Sequence, residues 1–304
     1  MSEIVFHHYW TSPFSEKVRL VFGMKGLAWR SVEQPSIMPK PHLTPLTGGY
    51  RKIPVMQIGA DVYCDSQIIL AELERRFPGP QAAPPSGLSG GLAFWADRIF
   101  FMASVPLIFG ALGDKVDPAF VKDREALSGR PFDPAQMQAA VPLMREQWRA
   151  HAAFIEAALA AQGDFVGRAP RLDDPHAHMN VWFLSTFTPG ESEPLLREFP
   201  RVRDWAARLK AIGHGAPAPM TPEDALAVAK SATSQAAERA DPFEPNGLVP
   251  GMAVTVMADD YGRDPIAGTL VSSSSTHVAI RRSDPAVGEV VVHFPRAGFW
   301  VLPG

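Results

Sequence analysis

Residues 51–70 read RKIPVMQIGADVYCDSQIIL, and this stretch decides the fold. Ile53 to Ile58 and Val62 to Cys64 are short apolar runs on either side of Gly59-Ala60-Asp61, the composition of two strands joined by a tight turn. Asp65-Ser66 then caps a helix carrying Ile68, Ile69, Leu70, Leu73 and Phe77, which Pro78-Gly79 stops. Upstream, Ile4 to Tyr9 is an apolar and aromatic strand. Thr11-Ser12-Pro13 opens a helix, with Ser12 as N-cap and proline at the first helical position. That helix runs through Val18, Leu20, Val21 and Met24 and ends at Gly26, and a polar, proline-rich stretch follows from Gln34 to Gly49.

Downstream, residues 80–91 (PQAAPPSGLSGG) read as a linker. Residues 92–240 are helical: Leu92 to Met102 and Met137 to Ala161 repeat apolar residues at three- and four-residue spacing. Thr221-Pro222-Glu223-Asp224 starts a last helix to about Ala237, and Asp241 to Pro250 breaks it off. From residue 251 the period changes to that of strands, starting at Val254, Ile266, Val278, Val290 and Phe299. This is an α+β multidomain chain: residues 1–80, an all-helical domain over 86–240, and a small C-terminal β-barrel, SH3-like, over 247–304. So small a unit is marginal alone, so the barrel is expected to pack on the helical domain. His293-Phe294-Pro295-Arg296 and Phe299-Trp300 mix aromatic and basic groups suited to docking on a neighbouring domain, the favoured reading, or on a partner.

Composition narrows the function. Among 304 residues, Lys and Arg number 29 against 32 Asp and Glu, giving a net charge of −3, which argues against a nucleic-acid partner. The single cysteine, Cys64, excludes an internal disulfide framework and suits a reducing, cytoplasmic setting. The first ten residues lack a basic run ahead of an apolar stretch, so no secretory signal is expected, and no uninterrupted apolar run predicts a membrane span.

Four segments in order now combine. Ser12-Pro13-Phe14-Ser15-Glu16-Lys17-Val18-Arg19 is similar to the active-site turn of glutathione transferases. Lys52-Ile53-Pro54 resembles the segment before that family's cis-proline, Asp65-Ser66 its acidic-residue-then-serine motif, and Gln67 to Phe77 the helix that follows. The resemblance covers about 75 residues of the chain. It implies a thioredoxin-like first domain, reduced glutathione as cosubstrate, no metal, a homodimer, and conjugation of a small hydrophobic electrophile, as in detoxification.

The resemblance also assigns roles. Ser12 would donate a hydrogen bond to the glutathione thiolate, and Ser15 is the alternative activator, with Thr11 and Tyr9 behind it. A free thiol has a pKa of about 8.5, and a hydrogen bond to a charged group is worth about 1.5–3 kcal/mol, or roughly one to two pKa units. Such a bond would raise the thiolate from a small minority to a large fraction at neutral pH. Pro54 is expected cis, with the Ile53 backbone pairing to the cysteinyl part of glutathione. Lys52 and His42 would face the glycine carboxylate. Ser66 begins a helix whose free N–H groups suit the γ-glutamyl carboxylate, and Asp65 would take the adjacent ammonium. Phe14, Phe101 and Met102 are the candidate electrophile pocket. The same scaffold also serves glutathione-dependent isomerases, dehalogenases and peroxidases, and non-catalytic binding proteins, here acting through the third domain.

Other clusters read as structure. Asp173, Asp174, His176 and His178 form a helix start, and His176 and His178 do not share a helix face. His7 and His8 point to opposite faces of a strand. Cys64 reads as a buried structural thiol, and Arg281-Arg282 is too small for a nucleic-acid patch.

Overall fold

The structure is a computed structural model and describes residues 3–78, 88–167 and 170–304. Its first part runs β1 (Val5–His8), α1 (Pro13–Met24), β2 (Ala28–Glu33), α2 (Thr44–Thr47), β3 (Val55–Ile58), β4 (Asp61–Cys64) and α3 (Ser66–Arg76). β1 lies parallel to β2 and antiparallel to β3, and β3 is antiparallel to β4, a thioredoxin-like arrangement. Ser12 caps α1 by accepting the Ser15 N–H at 3.1 Å. One sheet face packs Phe6, Met56 and Tyr63 on Val18, Phe22 and Ile69.

The helical part follows: α4 (Ser89–Phe94), a π-helical turn over Trp95–Phe100, α5 (Phe101–Leu112), α6 (Pro118–Ser128), α7 (Pro134–Gln162), α8 (Asp173–Phe187), α9 (Pro189–Leu196) and α10 (Pro200–Ile212). β5 (Ala216–Pro219) and α11 (Pro222–Ser231) return to the first sheet. There Ala225 packs on Val5 and Val32, so both sheet faces are covered. The run Ser89–Lys115 is long and apolar enough to cross a membrane, yet Phe100, Leu107 and Ile108 are buried against Trp148 and Leu184 in the helical core. The linker reading of 80–91 lies mostly outside the described residues, and Ser89 already belongs to α4. The last helix stops at Ser231, short of the expected Ala237. The chain turns extended there because Ser234 Oγ and the Gln235 N–H both donate to Asp61, at 2.6 and 2.8 Å.

The third part contains β6 (Ala253–Ala258), β7 (Ile266–Ser273), β8 (His277–Asp284), β9 (Gly288–Pro295) and β10 (Phe299–Pro303). The strands are antiparallel neighbours, but the expected separate SH3-like barrel is not what forms. β9 pairs in parallel with β4, giving one ten-stranded sheet in the order β10-β6-β7-β8-β9-β4-β3-β1-β2-β5. The expected seat on the helical domain is corrected too: the main partner is the first sheet. Val256, Leu270, Ile280 and Val292 share a core with Leu43, Leu46, Val55 and Val62. His293 Nε2 donates to Asp61 at 2.9 Å, and Phe294 and Phe299 pack on Tyr50, so these residues do dock within the protein.

A buried ion pair ties the first part to the helices. Lys17 Nζ, with its side chain fully buried, donates to both carboxylate oxygens of Asp97 at 2.7 and 2.8 Å. Removing one partner of such a pair strands the other charge and costs about 3–5 kcal/mol, whereas replacing both with apolar residues is often neutral. Asp97→Ala is therefore expected to lose about 3–5 kcal/mol of stability in chemical denaturation, and Lys17→Met/Asp97→Leu to recover most of it. An Asp97→Ala protein as stable as the parent would show the pair to be dispensable.

Candidate active site

The Ile53–Pro54 bond is cis, as expected, and it delivers the 51–54 backbone to the rim of a cavity between the first part and the helices. The cavity has a volume of about 880 Å³. From the first part it is lined by Phe14, Lys52, Ile53, Pro54, Asp65 and Ser66. From the helical part it is lined by Phe101, Met102, Phe109 and Phe183. Phe14 and Phe101 meet at 5.0 Å between ring centroids, and Phe101 and Phe183 stack at 5.9 Å. The expected glutathione wall and electrophile wall thus face one space.

Asp65 is the one non-glycine residue with positive φ, at 91°, among the described residues. A side chain held there signals a backbone constrained by its surroundings, and such positions cluster at functional sites. Its carboxylate accepts the Gln67 N–H at 2.8 Å. Ser66 opens the helix, so its N–H is one of the first-turn groups with no partner inside the helix. Burial pushes the Asp65 carboxyl above its usual range, against the Gln67 bond and the charges of Lys17 and Lys52. Asp97, carried into the cavity by the π turn, is raised by burial as well. The Ala96 carbonyl in that turn accepts the Asn180 amide at 2.9 Å.

Other expected residues lie elsewhere. Ser12 and Ser15 are buried behind the cavity rather than lining it. Ser12 Oγ is occupied by the Ser15 N–H, and Ser15 Oγ is buried without a partner among the described residues. Of the four candidate donors Tyr9, Thr11, Ser12 and Ser15, Tyr9 is the one that lines this cavity. Burial raises its phenol, while the Arg124 charge and a hydrogen bond with Ser12 act in the opposite direction. Arg19, almost fully buried, holds the turn by donating to the Tyr9 and Trp10 carbonyls at 3.2 and 2.9 Å. His42 is not brought to the cavity: its ring pairs with Glu223 at 3.1 Å. Lys52 is present but engaged, with Asp260 at 2.7 Å and the Tyr261 ring at 4.2 Å.

Sequence reasoning missed Lys40 and Arg124, which also line the cavity. Lys40 Nζ donates to the Arg51 carbonyl at 3.0 Å, and burial beside Arg124 and Arg51 pulls it down to about 8. Arg124 donates to the Ser36 carbonyl at 2.7 Å and shares Asp123 with Arg51. A lysine in a proline-rich loop carries no local signal of burial. Of the histidines and acids set aside earlier, Asp174 accepts from Val166, Arg171 and Trp205, while His176 and His178 are buried. No group of three potential metal ligands occurs among the described residues.

Comparison with known proteins agrees with this geometry. The family description "Glutathione S-transferase, N-terminal domain" matches residues 6–81. Glutathione S-transferase U4 of Arabidopsis thaliana is 27% identical over 89 residues, covering 29% of this chain and 40% of that protein. A probable glutathione S-transferase of Nicotiana tabacum is 30% identical over 97 residues, covering 32% and 44%. The chain thus spans less than half the length of these curated relatives. Rice GST1 in complex with glutathione shares the fold, with TM-score 0.51 and 22% identity over 73% of this chain and 92% of that one. A GST-like protein from Pseudomonas syringae is 36% identical with TM-score 0.82, and all of each chain is covered, third part included. With that full-length likeness added to the matched first domain, the chain belongs to the glutathione transferase family.

Proposed function

We propose that the protein is a glutathione transferase that joins the thiolate of reduced glutathione to an electrophilic carbon of a small apolar compound. The observation that carries the reading is the single cavity with the Asp65-Ser66 helix start and the Ile53–Pro54 backbone on one side and an aromatic wall on the other. The γ-glutamyl end would meet Ser66 and Asp65, whose raised carboxyl gains from a neighbouring ammonium. The Ile53 backbone would pair with the cysteinyl unit, and the glycine end would run toward Lys52. Tyr9, reaching the cavity with Ser12 behind it, is the proposed donor to the thiolate; Ser12 orients it. Phe14, Phe101 and Met102 would hold the electrophile by apolar contact. The proposal includes a cytoplasmic, homodimeric enzyme, as the family resemblance implies.

The test is calorimetry with glutathione, followed by ultraviolet titration of the bound thiol. Ser66→Ala and Asp65→Ala are each expected to weaken binding about tenfold or more, or roughly 1.4 kcal/mol. Tyr9→Phe is expected to raise the bound thiol's pKa by about one to two units, the loss of one charge-assisted hydrogen bond. Unchanged affinity in both first-domain variants would overturn the glutathione reading. A shift in Ser12→Ala but none in Tyr9→Phe would return the donor role to Ser12.

A further inference from the structure

The loop between β6 and β7 reaches out of the third part into the cavity, and Asp260, Tyr261 and Gly262 are part of its wall. It is tied at several points. Asp259 pairs with Arg98 at 2.6 Å, and Arg263 donates back to the Asp259 carbonyl at 2.6 Å. The Gly262 N–H donates to the Leu127 carbonyl at 2.9 Å. Gly262 has φ +61°, the left-handed conformation that favours glycine. At the centre, Asp260 Oδ1 accepts from both Lys52 Nζ at 2.7 Å and the Tyr261 N–H at 2.6 Å. The Lys52 side chain is 15% exposed and has the Tyr261 ring on another side.

We propose that Asp260 is a specificity residue supplied by the third domain. It neutralises Lys52, so the site favours a γ-glutamyl thiol whose far end lacks a free carboxylate over one that carries it. This rests on the reading above that the first domain holds a γ-glutamyl thiol. Of the cations nearest the Lys52 backbone, Arg51 and Arg124 already share Asp123, and Lys40 is 3% exposed with its ammonium turned to the Arg51 carbonyl. A ligand carboxylate arriving at Lys52 would stand beside the Asp260 carboxylate, and like charges in a partly desolvated site repel. A neutral or absent end meets no such repulsion.

The test measures dissociation constants for glutathione, its glycine monoethyl ester and γ-glutamylcysteine on the full chain, on Asp260→Asn and on Asp260→Ala. The parent is expected to bind the ester at least as tightly as glutathione. In both variants glutathione should gain about tenfold relative to the ester, roughly 1.4 kcal/mol. An unchanged glutathione-to-ester ratio would overturn the proposal. An equal gain for all three thiols would overturn it as well, and would make the loop a strap across the whole site. Binding of none of them, by parent or variants, would instead refute the glutathione reading beneath it. Thermal melts of both variants establish that each is folded.

Discussion

A chain cut after residue 246 is expected to lose its cooperative thermal transition at room temperature or to precipitate on expression. The reason is that residues 247–304 are not an appendage. Strand pairing joins Asp61, Val62 and Tyr63 to Val291, Val292 and His293, and the cut would strip β4 of that neighbour. It would also uncover Leu43, Leu46, Val55 and Val62, all fully buried in the shared core. Burying a Val or Leu side chain is worth about 1.5–3 kcal/mol, so exposing four costs about 6–12 kcal/mol at most. A domain's entire stability is about 5–15 kcal/mol. Circular dichroism melts and solubility of the truncated chain check this. A fragment melting within a few degrees of the parent would mean that the first sheet closes by itself.

Acid is expected to unfold the full chain steeply between about pH 6.5 and 4. Burial pulls His7 and His178 down to about 4 and His8 to about 3, with Arg19 adding to the effect on His8. Burial also holds His176 well below its usual value. These side chains are 0–4% exposed, so each stays neutral in the folded protein and charges on unfolding. A folded value depressed below the unfolded one gives stability that is complete above about pH 6.5 and is lost as pH falls toward the folded value. At pH 5 each of His7, His8 and His178 costs about 2 kcal/mol, the three together about 6 kcal/mol, and His176 acts in the same direction. Opposing this, Asp65, Asp97 and Asp174 have carboxyls raised by burial, a penalty at neutral pH that is relieved as pH falls through those raised values. Denaturant unfolding at pH 7, 6 and 5 is the measurement. A midpoint that stays constant over that range would show that these rings are already charged in the native state.

The parts of the fold legible in the sequence are those fixed by local chemistry. Ser12-Pro13 and Asp65-Ser66 announce their helices through cap and proline geometry alone, and the Gly59-Ala60-Asp61 turn announces the β3–β4 hairpin. β2 was missed because AWRSVE (Ala28–Glu33) mixes polar and apolar residues without alternation; its parallel partner β1 supplies the hydrogen bonds that make it a strand. β5 reads APAP, which no strand signal would select. The candidate site was legible where an element's own start makes it, at Asp65 and Ser66, and along the Ile53–Pro54 rim. It was not legible where distant segments converge. Nothing local to Asp260 says that it will stand against Lys52, more than 200 residues earlier. Nor does the turn sequence say that Tyr9, rather than the capping Ser12, will face the cavity, because that depends on how α1 is seated against the helices.

The continuous sheet has a consequence for solubility. With β9 laid on β4, the lateral strands left open are β10 and β5. An open lateral strand offers its unpaired N–H and C=O groups as a template for strands from other molecules, the first step toward aggregation. β5 contains Pro217 and Pro219, neither of which can donate a hydrogen bond, and β10 terminates at Pro303. The molecule therefore hides the β4–β9 pairing inside itself, and at its β5 edge leaves outermost a segment poorly able to recruit a neighbour.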